Sequence, residues 1–277
     1  MTLSVNTNQP ALIALQNLNR TNEGMQSVQT RINTGEAIST AKDNAAIWSI
    51  AQDQRADMSA LGAVKMSLDR ATSIADVALA GGESVSDLLK LMREKVVAAK
   101  DTSLSSTSLQ SLNADFQGLL KNLEQVVKSA VFDGANLLDG SQAADMTFLA
   151  DADAAQAITL NLQNLTLGGP INSLQPTDDI LTPGNATAVL ARLDDTMKAV
   201  NQAVGNIGTQ AKQIEAHNTF VGRLSDVLET GVGNLVDADM AKESARLQAL
   251  QVKQQLGAQA LSIANSAPQI ILSLFKG

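Results

Sequence analysis

The chain has 277 residues and a formal net charge of −8. This acidic balance argues against a nucleic-acid partner, because binding phosphates requires a basic face that 20 lysines and arginines do not obviously supply. The chain has no cysteine, which excludes disulfides and thiolate metal sites, and only 2% aromatic residues, so aliphatic side chains must fill any core. Such a composition is typical of long helices packed side by side.

The N-terminal segment, MTLSVNTNQPALIALQNLNR, predicts no cleavable secretory signal, because no basic region precedes its apolar residues and Pro10 interrupts them. No apolar run approaches the roughly 18 residues of a membrane-spanning helix, so no membrane insertion is expected. Apolar residues recur every three or four positions instead, which predicts a helix with one packing face. That face consists of Ala11, Ala14, Leu18, Thr21, Met25, Val28 and Ile32, with Leu12 and Leu15 widening it.

Two heptad patterns follow and predict a pair of long helices. The first is broken only at Gln54, Asp57 and Gly82, and it runs through Ile47, Ile50, Leu61, Val64, Leu68, Ala71, Ala75, Ala78, Val85, Leu89, Met92, Val96 and Ala99. The second begins after the Ser/Thr-rich break DTSLSSTS and runs through Leu109, Leu112, Phe116, Leu119, Leu123, Val126 and Ala130. The two helices should pair as an antiparallel hairpin.

Residues 140–183 have a different period and predict a small β-hairpin region. FDGANLLDG carries two Asp-Gly turn signals, and AITLNLQNLTLGGP alternates apolar and polar residues before its glycines, which favours strands up to about Pro183. The segment DADAAQ at 151–156 lacks the glycine and the terminal glutamate of a calcium loop, so a locally capped loop is predicted there.

The C-terminal half returns to the heptad pattern. One seam runs through Leu193, Met197, Val200, Val204, Ile207, Ala211, Ile214, Asn218, Val221, Ser225, Leu228, Val232 and Leu235. The last helix, with Ile263, Ala267, Ile270 and Leu274 at helical spacing, is the expected partner of the first. The fold class predicted is therefore mainly α, with long antiparallel coiled-coil helices in an elongated bundle and a small β-hairpin region.

The final segment, SAPQIILSLFKG, crowds five large apolar residues into six positions, although free termini are usually frayed and polar. One helix on a single partner buries too little surface to offset the entropy of ordering it. We therefore expect both terminal segments to be mobile in a monomer and to become helical by packing on several neighbouring copies.

No group of residues predicts catalysis, a cofactor or a metal. His217 is the only histidine and is expected on a helix surface. Asp237 and Asp239 lie where one helical seam ends and another begins, so Asp239 is predicted to cap the last helix rather than to act as a catalytic acid. Trp48 is expected to be a partly buried anchor. The chain is therefore predicted not to be an enzyme.

Five segments, in order along the chain, resemble bacterial flagellins. The most specific is RINTGEAISTAKDNAAIWSIA at 31–51; the others are SVNTNQPALIALQNLNR, FDGANLLDG, VDADMAKES and ANSAPQIILSLFKG. Asn44 and Phe275 depart from the family pattern, which commonly has aspartate and leucine at those two positions. The resemblance implies a structural subunit of the extracellular flagellar filament used for motility, with inner-core helices at 1–42 and 235–277, outer-core helices at 43–139 and 184–234, and an exposed region at 140–183.

The resemblance also implies partners: further copies of this chain or related flagellins, the flagellar export apparatus with a chaperone, and hook-associated junction and cap proteins. The residues expected to form the polymerisation interface are Leu12, Leu15, Leu18, Met25, Val28, Ile32, Leu256, Ile263, Ile270, Ile271, Leu274 and Phe275. Family members carry O-linked sugars on exposed hydroxyls, and the candidate positions here are Ser141, Thr147, Thr166, Ser173 and Thr177.

Two other functions fit the same helices. A low-copy hook-filament junction protein shares related terminal helices but does not polymerise by itself. A helical binding or signalling module would form a discrete coiled-coil dimer with ordered termini. Self-polymerisation distinguishes the filament subunit from both.

Overall fold

The computed structural model describes residues 8–274, and side chains as far as residue 266. Within this range the chain forms five helices and one two-stranded antiparallel sheet, which confirms the mainly α prediction. The elements in chain order are α1 (Gln9–Thr34), α2 (Ala45–Ala98), α3 (Ser106–Ser129), β1 (Met146–Leu149), β2 (Ala157–Leu160), α4 (Pro183–Val236) and α5 (Met240–Leu274). Two compact units result: unit 1 contains residues 8–56 and 227–274, and unit 2 contains residues 57–226.

In unit 2, α2 and α4 are antiparallel. Three polar contacts step in opposite directions along the two helices: Asn218 Nδ2 donates to Asp69 Oδ1 at 2.6 Å, Ser86 Oγ donates to Asn201 Oδ1 at 2.9 Å, and Arg93 Nε donates to Asp194 Oδ1 at 2.8 Å. Helix α3 also returns along α2, because Lys95 forms a 3.0 Å ion pair with Asp115 and, earlier along α2, a Cβ on Gly81 would lie 3.0 Å from Ala130 Cβ just after α3. The predicted helical hairpin of α2 and α3 is thereby confirmed.

The core of unit 2 follows the predicted seam on α2 and departs from it in part on α3 and α4. From Leu61 to Ala99, every position of the first seam is buried, including Gly82, where the pattern appeared broken. On α4, Leu193, Val200, Ile207, Ile214 and Val221 are buried, but Met197 and Val204 are only half-buried and their neighbours Thr196 and Ala203 are buried instead. On α3, Leu120 and Val127 are buried where the prediction had Leu119 and Val126.

The seam prediction is wrong in unit 1, near the ends of both long helices. Ile50 is 50% exposed and its neighbour Ala51 is buried, while Leu235 is exposed and Val236 is buried. At this end α2 faces an irregular linker rather than another seam, since Arg55, one turn after Ala51, contacts Glu36 of the linker. A linker has no heptad pattern of its own, so the seam of α2 is not the buried face at this end of the helix.

The β-hairpin is smaller than predicted. Strand β1 pairs with β2 in the register Phe148 opposite Ile158, and DADAAQ forms the connecting loop, in which the Asp151 carboxylate accepts a hydrogen bond from Gln156 N. The predicted alternation is confirmed as far as Leu160, which is buried.

Residues 161–182 are irregular, against the prediction of strands up to Pro183. Buried Asn172 holds this region in place, because it donates to Leu165 O and accepts from Leu174 N. Gln163 N and Leu165 N also donate to the backbone carbonyls of Leu137 and Leu138. Buried Asn136 fixes that preceding segment in the same way, since it donates to Val127 O and accepts from Leu138 N.

Candidate polymerisation interface

Helices α1 and α5 form an antiparallel pair in unit 1, as predicted. Asn8 caps α1 by accepting from Ala11 N, and Gly35 ends it with a left-handed φ of 74°. Three contacts mark the register of the pair: Asn8 Nδ2 donates to Ala264 O at 2.8 Å, Gln254 Nε2 donates to Asn22 Oδ1 at 2.8 Å, and Arg31 Nη1 donates to Glu243 Oε1 at 3.3 Å.

The face of α1 that packs on α5 is the predicted one. Its half-buried or buried residues are Ala11, Ala14, Leu18, Thr21, Met25, Val28 and Ile32. The facing residues of α5 differ from the prediction and are Glu243, Leu247, Leu250, Gln254, Gly257, Leu261 and Ala264. Ile263 was expected on this seam, but it is 63% exposed and its neighbour Ala264 faces α1 instead. Gly257 allows the close approach, since a Cβ there would lie 3.3 Å from Leu18.

The outer surface of the α1–α5 pair is strongly apolar. Seven large side chains of the two helices are between 43% and 64% exposed: Leu12, Ile13, Leu15, Met240, Val252, Leu256 and Ile263. Among the side chains that the structure describes in these two helices, only Val28 and Glu243 are buried. Val252, Leu256 and Ile263 lie on one face of α5, and an exposed apolar stripe of this kind is typical of an interaction surface in a soluble protein.

The predicted interface residues therefore fall into two groups. Leu12, Leu15, Leu256 and Ile263 lie on the outer surface, whereas Leu18, Met25, Val28 and Ile32 lie on the seam within the pair. Ile270, Ile271 and Leu274 belong to α5, but their side chains lie outside the described residues, as does the whole of Phe275.

Sequence reasoning missed Ile13 and Val252 on the outer surface. A signal for Val252 was available, because Val252, Leu256 and Ile263 are spaced by four and seven residues and so share one helical face. The predicted seam of α5, through Ile263, Ala267, Ile270 and Leu274, already provided a face to pack on α1, so Val252 was not assigned a role.

Two linkers, residues 35–44 between α1 and α2 and residues 237–239 between α4 and α5, join the α1–α5 pair to the other helices of unit 1. Backbone hydrogen bonds hold the two chain segments together at this point. Ala37 N donates to Val236 O at 2.6 Å, and Ala238 N donates to Gly35 O at 2.8 Å. The end of α1 and the start of α5 are thereby held at one point. These bonds link two of the five flagellin-like segments, residues 31–51 and VDADMAKES.

Side-chain caps fix both linkers. Asp239 Oδ1 accepts from Lys242 N at 3.0 Å, so the predicted cap of α5 is confirmed. In the other linker, hydrogen bonds from the Thr40 backbone and then its hydroxyl hold the pKa of Asp43 below its ordinary value, with a smaller contribution from the charge of Arg31.

The candidate glycosylation positions differ in accessibility. Ser141, Thr147 and Thr177 are exposed. The Thr166 hydroxyl donates to Asn164 Oδ1 at 2.6 Å, and the exposed Ser173 hydroxyl lies 3.2 Å from Arg192 O. Thr166 and Ser173 therefore already use their hydroxyls within the fold.

His217 lies on α4, where it holds the β-hairpin. It is half-buried, and its Nε2 lies 2.6 Å from Ala150 O at the end of β1. The expected position on the surface of a helix is therefore only partly right. Trp48 is half-buried, as expected.

The described part of the chain contains no group of three or more histidine, cysteine or acidic residues that could hold a metal ion. It also contains no helix that is long and apolar enough to cross a membrane.

Comparison with known proteins identifies the family. Residues 5–143 match the bacterial flagellin N-terminal helical region and residues 190–275 match the bacterial flagellin C-terminal helical region. The chain is 76% identical to flagellin FljJ of Caulobacter vibrioides, with both chains covered completely, and 48% identical to flagellin FljO of the same organism, with 99% and 98% covered.

A solved structure shares the fold. A chain described as a flagellar hook-associated protein from Vibrio parahaemolyticus superposes with a TM-score of 0.58 at 14% identity, covering 70% of this chain and 100% of that one. At this identity the likeness concerns the fold alone. The two family regions and the full-length relatives, by contrast, agree with the paired terminal helices and their apolar outer surface: the chain belongs to the bacterial flagellins, the structural subunits that polymerise into the extracellular flagellar filament.

Proposed function

We propose that the chain polymerises through the outer surface of the α1–α5 pair, with each pair packing on several copies of itself. The single observation that carries this proposal is the imbalance within the pair. Seven large apolar side chains are exposed, while only one apolar side chain, Val28, is buried among those described in the two helices. Neighbouring copies would bury the outer residues and contribute the hydrophobic free energy that a single pair lacks.

In this proposal the predicted interface residues have two roles. Leu18, Met25, Val28 and Ile32 hold α1 against α5, while Leu12, Leu15, Leu256 and Ile263 contact neighbouring copies. Ile270, Ile271, Leu274 and Phe275 extend the contact surface toward the C-terminus. Ordering of the terminal segments and assembly are thus coupled, because the terminal helices gain most of their burial only in the polymer.

The same proposal assigns roles to the rest of the chain. Segments 1–42 and 235–277 form the inner core of the filament, 43–139 and 184–234 the outer core, and 140–183 the exposed region. The chain is exported unfolded by the flagellar secretion apparatus with a chaperone, and it meets hook-associated junction and cap proteins at the filament ends. It has no catalytic role. Ser141, Thr147 and Thr177 are the hydroxyls best placed to carry O-linked sugars.

Seeded elongation tests this function directly. Short filament seeds are added to the purified chain and to a version that lacks residues 266–277, and filament length is measured by negative-stain electron microscopy. We expect only the full-length chain to extend the seeds, because the shorter version loses part of the terminal contact surface. Far-UV circular dichroism of both proteins provides the control for folding. If neither extends the seeds while both remain folded and discrete, the junction protein or the binding module becomes the better reading.

The charge distribution gives a second expectation. Between Lys128 and Lys198 the chain has nine aspartates and one basic residue, Arg192, so this stretch alone carries a net charge of −8. Copies that expose this acidic region side by side in a filament repel each other, and salt screens that repulsion. Elongation should therefore accelerate severalfold between about 10 and 150 mM NaCl, over which the screening length falls from roughly 30 to 8 Å. Light scattering during seeded growth measures the rate, and slower growth in salt would indicate that attractive ion pairs between copies dominate.

A further inference from the structure

The exposed charges of α5 are all positive, although the whole chain has a net charge of −8. The helix has three basic residues, Lys242, Arg246 and Lys253, here called the basic stripe, and all three are exposed. Its one acidic residue, Glu243, is buried on the seam with α1, where it pairs with Arg31. The surface that the described part of α5 presents to solvent is therefore basic.

The basic stripe runs beside the exposed apolar residues of the same helix. Its three cations are spaced by four and seven residues, so they share one helical face. The apolar stripe of Val252, Leu256 and Ile263 has the same spacing and begins ten residues later. At about 3.6 residues per turn, this offset places the two stripes about a quarter turn apart. An apolar face and a basic face thus adjoin each other along α5.

A partner that covers both stripes must offer apolar surface and negative charge side by side. A second α1–α5 pair does not offer this combination. Among the side chains that the structure describes in α1 and α5, Glu23 is the only exposed acid, and exposed Arg20 lies about one turn before it. Two pairs packed together would therefore leave most of the basic stripe without counter-charge.

A bilayer that contains anionic lipids offers both features. Helices with a basic face beside an apolar face lie in the plane of the membrane interface, with their apolar side chains at the level of the acyl chains. Anionic headgroups attract the lysines and arginines that lie near the surface. The two stripes of α5 match these two layers, and no helix has to cross the bilayer.

We propose that the free chain binds the surface of anionic membranes through the basic and apolar stripes of α5. The apolar stripe is also the surface that contacts neighbouring copies in the function proposed above. A chain bound to lipid therefore cannot use this stripe for assembly at the same time. The inference concerns the free chain alone and does not depend on polymerisation.

Vesicle flotation tests the proposal on the unmodified chain, without seeds and at a concentration where light scattering shows no filaments. Vesicles of phosphatidylglycerol and phosphatidylcholine are compared with vesicles of phosphatidylcholine alone. We expect binding to the anionic vesicles, although the net charge of −8 by itself predicts repulsion, and at least about tenfold weaker binding to the neutral ones. Binding should weaken between about 0.1 and 1 M NaCl, over which the screening length falls from roughly 10 to 3 Å.

Removal of the basic stripe should weaken this binding. The variant Lys242→Gln, Arg246→Gln and Lys253→Gln should have about a hundredfold lower affinity for the anionic vesicles, since each cation at an anionic surface contributes about a fivefold gain. The matched control replaces three exposed lysines of unit 2 and changes the net charge equally: Lys65→Gln, Lys121→Gln and Lys212→Gln. It should change the affinity less than about threefold, because charges far from the contact are screened.

Removal of the apolar stripe should also weaken binding. Leu256→Gln with Ile263→Gln should lower the affinity for anionic vesicles about tenfold or more, because two apolar side chains no longer leave water. Met66→Gln with Val227→Gln is the control, since these side chains are 69% and 66% exposed outside the α1–α5 pair. It should leave the affinity unchanged. Far-UV circular dichroism checks the folding of every variant.

Four results would overturn the proposal. They are no binding of the unmodified chain to anionic vesicles, equal binding to both kinds of vesicle, an equal loss in a variant and its control, or complete competition by soluble glycerol phosphate at the headgroup concentration. The vesicle comparison needs no variant, so it stands even if a variant misfolds. A basic-stripe variant that raises the critical concentration for elongation but binds vesicles normally would assign the stripe to a contact between copies instead. Failure of the unmodified chain to extend seeds would overturn the proposed function and leave this inference unaffected.

Discussion

Seeded elongation is expected to stop when Leu256 and Ile263 are both replaced by glutamate, while both units stay folded. The two side chains are 64% and 63% exposed in the chain, so they contribute little to its own packing. Burial of a leucine or isoleucine in a contact between copies contributes about 1.5–3 kcal/mol, and loss of two such contacts raises the critical concentration by about a hundredfold or more. A carboxylate forced into the same contact adds a further cost of desolvation.

Two comparisons make this result specific. The Leu256→Ala and Ile263→Ala double variant loses the apolar contact without introducing charge, so it should elongate slowly rather than not at all. Met66→Glu places a charge at another exposed apolar position, on α2 in unit 2, where the side chain is 69% exposed. It should elongate at a nearly normal rate. Filaments of normal length from the double glutamate variant would refute the assembly surface, and a block by Met66→Glu would extend that surface to unit 2.

The sequence predicted the helical part of this fold well because its information is local and periodic. A heptad pattern identifies the buried face of α2 from Leu61 to Ala99 without knowledge of the partner. On α5, by contrast, more than one stripe is apolar, so the sequence alone could not distinguish Ile263 from Ala264 as the residue that faces α1. The register of the partner helix decides this, and that register depends on contacts between residues more than two hundred positions apart, such as Asn22 with Gln254.

The structure of the irregular region after β2 could not be predicted either, because it also depends on contacts between residues far apart in the sequence. Side chains there bond to distant backbone groups, and such side chains have no characteristic spacing. Buried Asp178 is an example: its carboxylate accepts from Gln175 N at 2.8 Å and pairs with Arg192 of α4 at 2.7 Å. Its backbone carbonyl also accepts a short hydrogen bond from Gln117 of α3. Nothing in the local sequence distinguishes Asp178 from the next residue, half-buried Asp179, whose carboxylate accepts from Leu181 N and Asn185 Nδ2 instead.

Gly82 interrupts the seam of α2 in the sequence, but in the structure it is buried like the other seam positions around it. In the structure Gly81 and Gly82 lie in close contact with neighbouring segments of unit 2. A Cβ on Gly81 would lie 2.9 Å from Leu138 Cδ1 and 3.0 Å from Ala130 Cβ, and one on Gly82 would lie 2.7 Å from Val204 Cγ2.

Replacement of both glycines by alanine should therefore destabilise unit 2, although alanine is the better helix former. The helix propensity gained is up to about 1 kcal/mol per residue. Overpacking costs typically 1–3 kcal/mol per site, and it is not easily relieved here because Ala130 can move only with its backbone and Val204 is stiff at χ1. We expect a net loss of about 3 kcal/mol for the pair and a melting temperature lowered by roughly 6–12 °C.

Gly62 supplies the matched control for this substitution. It lies in the same helix, and a Cβ there would meet nothing within 4 Å. Gly62→Ala should therefore gain the helix propensity without the clash and raise the melting temperature by a few degrees. Calorimetry of the two variants should thus give shifts of opposite sign. A rise for both would mean that α3 and α4 can move away from α2 at little cost, so that the close contacts at Gly81 and Gly82 are not what holds the three helices of unit 2 together.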